Sequence, residues 1–135
     1  MASKTLTATA TIAAAATVTG DAVPGFGYAQ SLAIQAKFAY GAGGTSTKAY
    51  VQTSLDGGVT WFDIACFAFT TAAATKVSSI TTMIAPASQA FAPTDGSLTD
   101  NTIIQGVIGD QLRVKYVSVG TYTGATSLTV TAVSK

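Results

Sequence analysis

The sequence lacks histidine and glutamate entirely and carries little charge of either sign. Lys and Arg number seven and Asp six, so charged residues make up 10% of the 135 residues and the formal net charge is +1. Without His there is no imidazole base and no imidazole metal ligand. A net charge this small does not provide the basic surface that nucleic-acid binding needs. These absences predict a binding or structural protein that is not an enzyme and has no cofactor, no metal and no nucleic-acid partner.

Cysteine and long apolar runs are also scarce. Cys66 is the only cysteine, so no intrachain disulfide can form, and its apolar neighbours predict a thiol buried in the core. The longest wholly apolar run in the N-terminal third, Ile12 to Ala16, is far shorter than the roughly 20 residues of a spanning helix. Only Lys4 precedes a Thr-rich stretch, which does not fit a secretory signal. We therefore expect no membrane partner.

Alanine and threonine dominate what is present. There are 25 Ala and 23 Thr, and hydrophobic residues reach 48%. From Thr5 to Thr19 the even positions are apolar while Thr occupies most odd positions, which is the period of a β-strand. Fifteen residues exceed the usual strand length of about 5–6. The pattern therefore indicates two strand segments in register or an extended arm over residues 1–20, followed by one domain over residues 21–135.

Further strands are predicted along the rest of the chain. Ser31 to Tyr40 alternates as a half-buried strand does, whereas Trp61 to Thr70 is apolar on both faces, as in a central strand. The other predicted strands are Lys48 to Ser54, Ala72 to Ile84, Gln111 to Val119 and Thr126 to Val133. A short helix over residues 71–74 is the alternative at the start of the Ala72 strand. Seven or eight short strands predict an all-β fold, an antiparallel β-sandwich or jelly roll.

Two loops lie between the predicted strands. One, over residues 21–30, contains Pro24-Gly25 and the aromatic residues Phe26 and Tyr28. The other, over residues 85–100, is longer than most loops in compact domains and carries Phe91. Asp95, Asp100 and Asn101 follow in or beside it, but their spacing matches no calcium-binding loop.

One motif stands out, Ser54-Leu55-Asp56-Gly57-Gly58-Val59-Thr60-Trp61. It resembles the Asp-box of sialidases and other β proteins, through Ser54, Asp56, Gly58, Thr60 and Trp61. Glycines allow positive φ in a tight turn, Asp accepts backbone N–H bonds, and Trp covers the base of the turn. The motif is a folding element, not a catalytic one.

The rest of the chain argues against a sialidase. Arg113 is the only arginine, whereas sialidases use an arginine triad on a six-bladed propeller. A carbohydrate-binding sandwich remains an alternative, with Trp61, Tyr50 or Tyr122 as stacking platforms.

A wider resemblance rests on the stretch Tyr50 to Ala65 and on Gly109-Asp110-Gln111-Leu112-Arg113-Val114-Lys115-Tyr116 with the hairpin that follows. Both look like patterns in small structural proteins of tailed bacteriophages. The resemblance implies a virion protein that binds other coat subunits, of the capsid decoration (cement) type, or a neck or tail-associated protein. Independently of the resemblance, a mean hydropathy of +0.43, the low charge and the uncharged alternating segment Thr5 to Thr19 predict that the chain associates with itself.

The residues expected to contact partner subunits lie in the N-terminal segment and in the two loops. They are Leu6, Ile12, Val18, Phe26, Tyr28 and Phe91.

Overall fold

The computed structural model describes residues 2–83 and 90–135, and within these ranges every regular element is a β-strand. The predicted all-β fold is confirmed, and residues 71–74 form no helix. The strands are β1 (Ala2–Thr11), β2 (Ala16–Thr19), β3 (Val23–Pro24), β4 (Ser31–Ala39), β5 (Ala42–Gly43), β6 (Ser46–Ser54), β7 (Phe62–Phe69), β8 (Ala74–Thr81), β9 (Gln111–Val119), β10 (Tyr122–Thr123) and β11 (Ser127–Ser134). In the described residues no helix is present that could cross a membrane.

Two antiparallel sheets form the sandwich. Sheet A has the order β1-β11-β4-β8, and sheet B has the order β2-β9-β6-β7, with β3 also pairing with β9. The short strands β5 and β10 pair separately. Because β2 and β3 both run along one side of β9, they form a single interrupted edge strand.

The core lies between the two sheets and follows from alternation along the strands. In β4 every second residue is buried, and these residues stand beside the buried residues of β11, as in the pair Phe38 and Leu128. Phe38 stacks on Phe69 of β7 with ring centroids 5.0 Å apart, and Tyr122 meets Phe38 edge-on at 5.8 Å. Each such large side chain contributes about 1.5–3 kcal/mol through burial.

The N-terminal segment joins the two sheets. β1 pairs with β11 from Ala2 to Thr11, and β2 pairs with β9 from Ala16 to Thr19. Between them the chain crosses from sheet A to sheet B, held by bonds from the Ile12 N–H to Thr126 and from the Tyr122 N–H to Ala13. Of the two interpretations of residues 5–19, the structure shows two paired strand segments and no free arm.

This placement corrects three of the expected partner contacts. Leu6, Ile12 and Phe26 are buried in the chain's own core. Leu6 and Ile12 pack into the core, whereas the other apolar residues described in this segment are half-buried or exposed, and Phe26 lies under its loop. The side chains of Leu6, Ile12 and Phe26 are therefore not available to another subunit.

β7 also differs from its prediction as a central strand. It is the outermost named strand of sheet B, but residues 94–104 cover its free side. The Cys66 N–H donates to Thr102, the Ile64 carbonyl accepts from Ile104, and Ala65 forms a bridge with Ile103. This cover explains why β7 is apolar on both faces although it is an edge strand.

Candidate functional site

Three connections, β3–β4, β6–β7 and β8–β9, start and finish at one end of the sandwich. β3 and β4, β6 and β7, β8, and β9 all end or begin there, as their registers show. Backbone bonds tie the loops together: Phe26 donates to Asp110 at 3.0 Å, and Thr82 donates to Gln30 at 2.9 Å. Both sheets therefore contribute loops to a common surface.

Large apolar side chains are exposed on these loops. Val59 is 82% exposed, Met83 78% and Leu55 65%, while Tyr28 is fully exposed. Phe91, 42% exposed, comes three residues before Thr94, whose carbonyl accepts the N–H of Asp63 near the start of β7. We call the surface formed by Tyr28, Leu55, Val59, Met83 and Phe91 the apolar end. Exposed apolar groups gathered in one region are typical of interaction surfaces.

The turn from Ser54 to Trp61 carries two residues of the apolar end, Leu55 and Val59. The Ser54 hydroxyl donates to Asp56 Oδ1 at 2.9 Å and accepts the Gly58 N–H at 2.8 Å. Asp56 Oδ1 accepts the Thr60 N–H at 2.7 Å, and the Trp61 indole donates to the Gly58 carbonyl at 2.9 Å. These bonds fix the backbone, so Leu55 and Val59 are held in the solvent on a rigid turn.

Backbone conformation and charge both suit this turn. Gly57 and Gly58 have φ values of 73° and 94°, which side chains with a Cβ rarely adopt. The hydrogen bonds from Thr60, followed by that from Ser54, lower the pKa of Asp56 to about 2. Asp56 is therefore ionised, and a stronger acceptor, at any pH well above 2.

Trp61 packs under the turn rather than projecting from it. It is half-buried, and the Arg113 guanidinium lies 4.4 Å from the centre of its ring. Arg113 is itself desolvated, which lowers its pKa. One face of the indole is thus already occupied by a cation.

A buried carboxylate anchors the loop that carries Phe91. Asp63 has no exposed surface and accepts the Thr94 hydroxyl at 2.7 Å. It also accepts the backbone N–H groups of Gly96, Ser97 and Leu98 at 2.8–3.1 Å. The loop therefore wraps around one carboxylate, which positions it over the outer face of sheet B.

Gln52 connects this anchor to the charged residues of sheet B. Its amide donates to Asp63 at 2.9 Å and to Asp95 at 2.6 Å, and its oxygen accepts Arg113 Nε at 2.8 Å. The Gln52 bond, and then Lys115, lowers the pKa of Asp95. Arg113 and Lys115 therefore have partners within the chain.

The remaining predicted residues lie elsewhere. Val18 is exposed on β2 beside Tyr116, away from the apolar end. Tyr50 and Tyr122 are buried, and the Tyr122 hydroxyl donates to Thr70 at 2.8 Å. Neither ring can serve as a stacking platform for a sugar, which corrects that part of the carbohydrate alternative.

The described residues offer little for metal or nucleophile chemistry. No three Cys or Asp side chains cluster as metal ligands within them. Asp95 meets Gln52, Asp100 pairs with Lys48 at 2.9 Å, and Asn101 meets Lys76. Burial raises the pKa of the Cys66 thiol, which disfavours the thiolate.

Asp63 and Gln52 were missed by sequence reasoning. Their polar side chains lie in apolar strands, where a buried polar residue needs a partner, and that contrast was the available signal. Apart from their bond to each other, however, their partners come from residues 31–61 positions away. Comparison with protein-family models, curated proteins and solved structures found no match for this chain.

Proposed function

We propose that this protein is a virion structural protein of the capsid decoration type, which binds coat subunits through the apolar end. The single observation that carries the proposal is the set of five exposed apolar side chains on loops from both sheets. Their burial against a partner is the main source of binding free energy that this nearly uncharged chain offers.

The rigidity of the surface supports binding. The turn that bears Leu55 and Val59 is fixed by its own hydrogen bonds, and the loop that bears Phe91 is anchored on Asp63. A surface that is already ordered loses less conformational entropy on association. Aromatic residues such as Tyr28 and Phe91 are frequent anchors in protein interfaces.

The proposal is tested on particles of the virus that encodes the chain. Particles that lack the protein are incubated with purified wild-type chain or with the double variant Leu55→Asp/Val59→Asp, and the bound fraction is measured. We expect apparent affinity to fall at least about tenfold, which corresponds to about 1.4 kcal/mol. Wild-type protein should also raise the temperature at which the capsids rupture.

Val119→Asp is the matched control, because Val119 is an exposed valine at the opposite end of the sandwich. It should bind within about twofold of wild type, since exposed positions outside an interface contribute little. Equal losses for both variants would overturn the assignment of the apolar end. Localisation to the neck or tail by labelled electron microscopy would replace the decoration role by the neck or tail alternative.

The alternative from another class of function is a carbohydrate-binding module. A glycan array that gives a specific signal, lost in Trp61→Ala but not in Leu55→Asp/Val59→Asp, would favour a carbohydrate-binding module. Because Arg113 covers one face of the indole and two candidate rings are buried, we expect no such signal.

A further inference from the structure

Four strand edges border the sandwich, and three are blocked. β1 has two register shifts along its pairing with β11, and such bulges discourage further pairing. The β2–β3 edge is interrupted at Gly20 and ends in Pro24. The β7 edge is covered by residues 94–104.

β8 is the remaining edge, and it is regular. It pairs with β4 over eight residues without a register shift. The N–H and C=O groups of Ser31 both bond Lys135, on the side of β4 that is away from β8. Ser31 and its β8 neighbour Thr81 are therefore a pair without mutual hydrogen bonds, and the N–H and C=O groups of Thr81 point outward, away from β4. By alternation the N–H and C=O groups of Thr75 and Val77 also point outward.

Residues 105 and 106 satisfy only one end of this edge. The Gly106 N–H donates to the Thr81 carbonyl at 2.9 Å, and Gln105 bonds the Thr81 N–H and the Ser79 carbonyl. Within the described residues, no backbone or side-chain group outside the ladder bonds the main chain of Thr75 or Val77. These unpaired groups form a template for one more strand.

A groove of about 350 Å³ lies beside the unpaired edge. Lys76, Val77 and Ser78 of β8 line one side, and Asn101, Thr102 and Ile103 line the other, with Cys66 and Phe67 also contributing. The 101–104 segment extends sheet B beyond β7, whereas sheet A stops at β8. A strand added to β8 would therefore rest on this extension and complete the sandwich.

Charge also limits what fits the groove. Lys76 is the only charged residue that lines it, and its ammonium contacts two neutral oxygens, those of Ala68 and Asn101. The salt bridges within the described residues join Lys48 to Asp100 and Lys115 to Asp95, so Lys76 has no carboxylate partner there. A carboxylate on the inward face of the added strand would supply the missing counter-charge.

A second copy of the chain does not fit as a globular partner. If β8 paired with β8 of a second copy, the 101–104 segments of the two copies would lie in the same layer. The two segments would then compete for the same space beside the paired β8 strands. A single extended segment avoids this conflict, because it brings no second layer with it.

We infer that the β8 edge is an acceptor site for an extended segment of another polypeptide, with small or apolar side chains and one acidic residue facing Lys76. This goes beyond the proposed function, since it concerns a different surface and needs no binding at the apolar end. Backbone hydrogen bonds give the affinity, and Lys76 with Ile103 selects the inward-facing side chains.

The test uses the full purified chain and a synthetic peptide, acetyl-Thr-Val-Thr-Asp-Thr-Val-Thr-Val-Thr-amide, with a control peptide in which Lys replaces Asp. In the free protein the amides of Thr75 and Val77 should exchange rapidly with solvent. The Asp peptide should slow their exchange and shift the NMR signals of residues 75–78 and 101–103, and the Lys peptide should bind at least about tenfold more weakly.

Two variants separate the backbone from the charge. Val77→Pro removes the outward N–H at an edge position, where proline is tolerated, and should weaken the Asp peptide about tenfold. Lys76→Gln should instead abolish the preference between the two peptides. Protected Thr75 and Val77 amides in the free protein, or equal binding of both peptides by wild type, would overturn the inference whatever the apolar end binds.

Discussion

At the scale of single residues, Asp63 shows how one buried carboxylate can order a whole loop. Its oxygens accept the Thr94 hydroxyl and the N–H groups of residues 96–98, all of which would lose their acceptor without it. Leaving such donors without an acceptor costs about 1–3 kcal/mol each, less what the loop regains by bonding water. We therefore expect Asp63→Ala to lower the free energy of unfolding by about 3 kcal/mol, measured by urea denaturation.

Asp110→Asn is the control for that measurement, because Asp110 is an exposed aspartate beside the same group of loops. It should change stability by less than about 0.5 kcal/mol. In Asp63→Ala, hydrogen exchange at residues 96–98 should also accelerate more than exchange in β4. Equal stability of the two variants would contradict the anchoring role of Asp63.

The pKa of Asp56 gives the turn a defined pH dependence. The folded-state pKa is about 2, below the ordinary value of 3.8, so ionised Asp56 stabilises the folded state. This contribution is complete above about pH 4 to 5 and is lost as the pH falls toward 2. The melting temperature of Asp56→Ala should lie below that of wild type at pH 6, and the difference should shrink by pH 2. A difference independent of pH would rule out this linkage.

At the scale of elements, the two parts of the N-terminal segment differ in how deeply their apolar side chains are buried. Ile12 is buried where the chain crosses between sheets, whereas Val18 is exposed on β2. Ile12→Ala should cost about 2–5 kcal/mol through the cavity it leaves, and Val18→Ala should cost less than about 1 kcal/mol. Denaturant midpoints of the two variants check this contrast. Similar losses would mean that the two halves contribute alike.

Deletion of residues 2–19 is a stronger test of the same element. It would remove the partner of β11 in sheet A and of β9 in sheet B, exposing core residues on both sides. We expect the truncated chain to lose cooperative thermal unfolding in circular dichroism. A truncated chain that melts as wild type does would restore the free-arm interpretation of this segment.

Period-two patterning predicted the strands that have one buried face. Ser31 to Tyr40 and Thr126 to Val133 match β4 and β11 closely, because alternation is a local signal. The sheet change at Ile12 could not be predicted, since it depends on Thr126 and Tyr122 far along the chain. Likewise, cover from residues 101–104 made β7 resemble a central strand.

The end of the predicted strand at Ile84 and the start of the predicted loop, residues 85–89, lie outside the described residues.

The candidate surface was predictable in part. Tyr28 and Phe91 are exposed at the apolar end, but Leu55 and Val59 join them only because the turn is rigid and β6 ends beside the 25–30 loop. A local pattern does not reveal which loops share an end of a sandwich. That arrangement depends on strand order, which long-range pairing sets.

At the scale of the whole molecule, neutral polar and apolar side chains fill most positions, and charged side chains are few. Gly109 illustrates the close packing this permits: a Cβ there would lie 1.9 Å from the Ser54 carbonyl oxygen, so only glycine fits beside the turn that begins at Ser54. The charged residues are few and several pair within the chain, as Lys115 does with Asp95. Long-range electrostatic repulsion between copies is therefore weak at a net charge of +1.

This distribution predicts how the purified chain associates. In the absence of a partner, copies should self-associate through the apolar end at high concentration, because five of the eight large apolar side chains that are exposed among the described residues lie there. Raising the salt from about 50 to about 500 mM screens charge pairs but not apolar contacts, so the average mass from light scattering should not fall. Leu55→Asp/Val59→Asp should remain monomeric at the same concentration, whereas Val119→Asp should associate as wild type does. Dissociation of the wild-type chain by salt would show that charge pairs hold the copies together, and a monomeric wild type at every concentration would show that the apolar end needs a different partner surface.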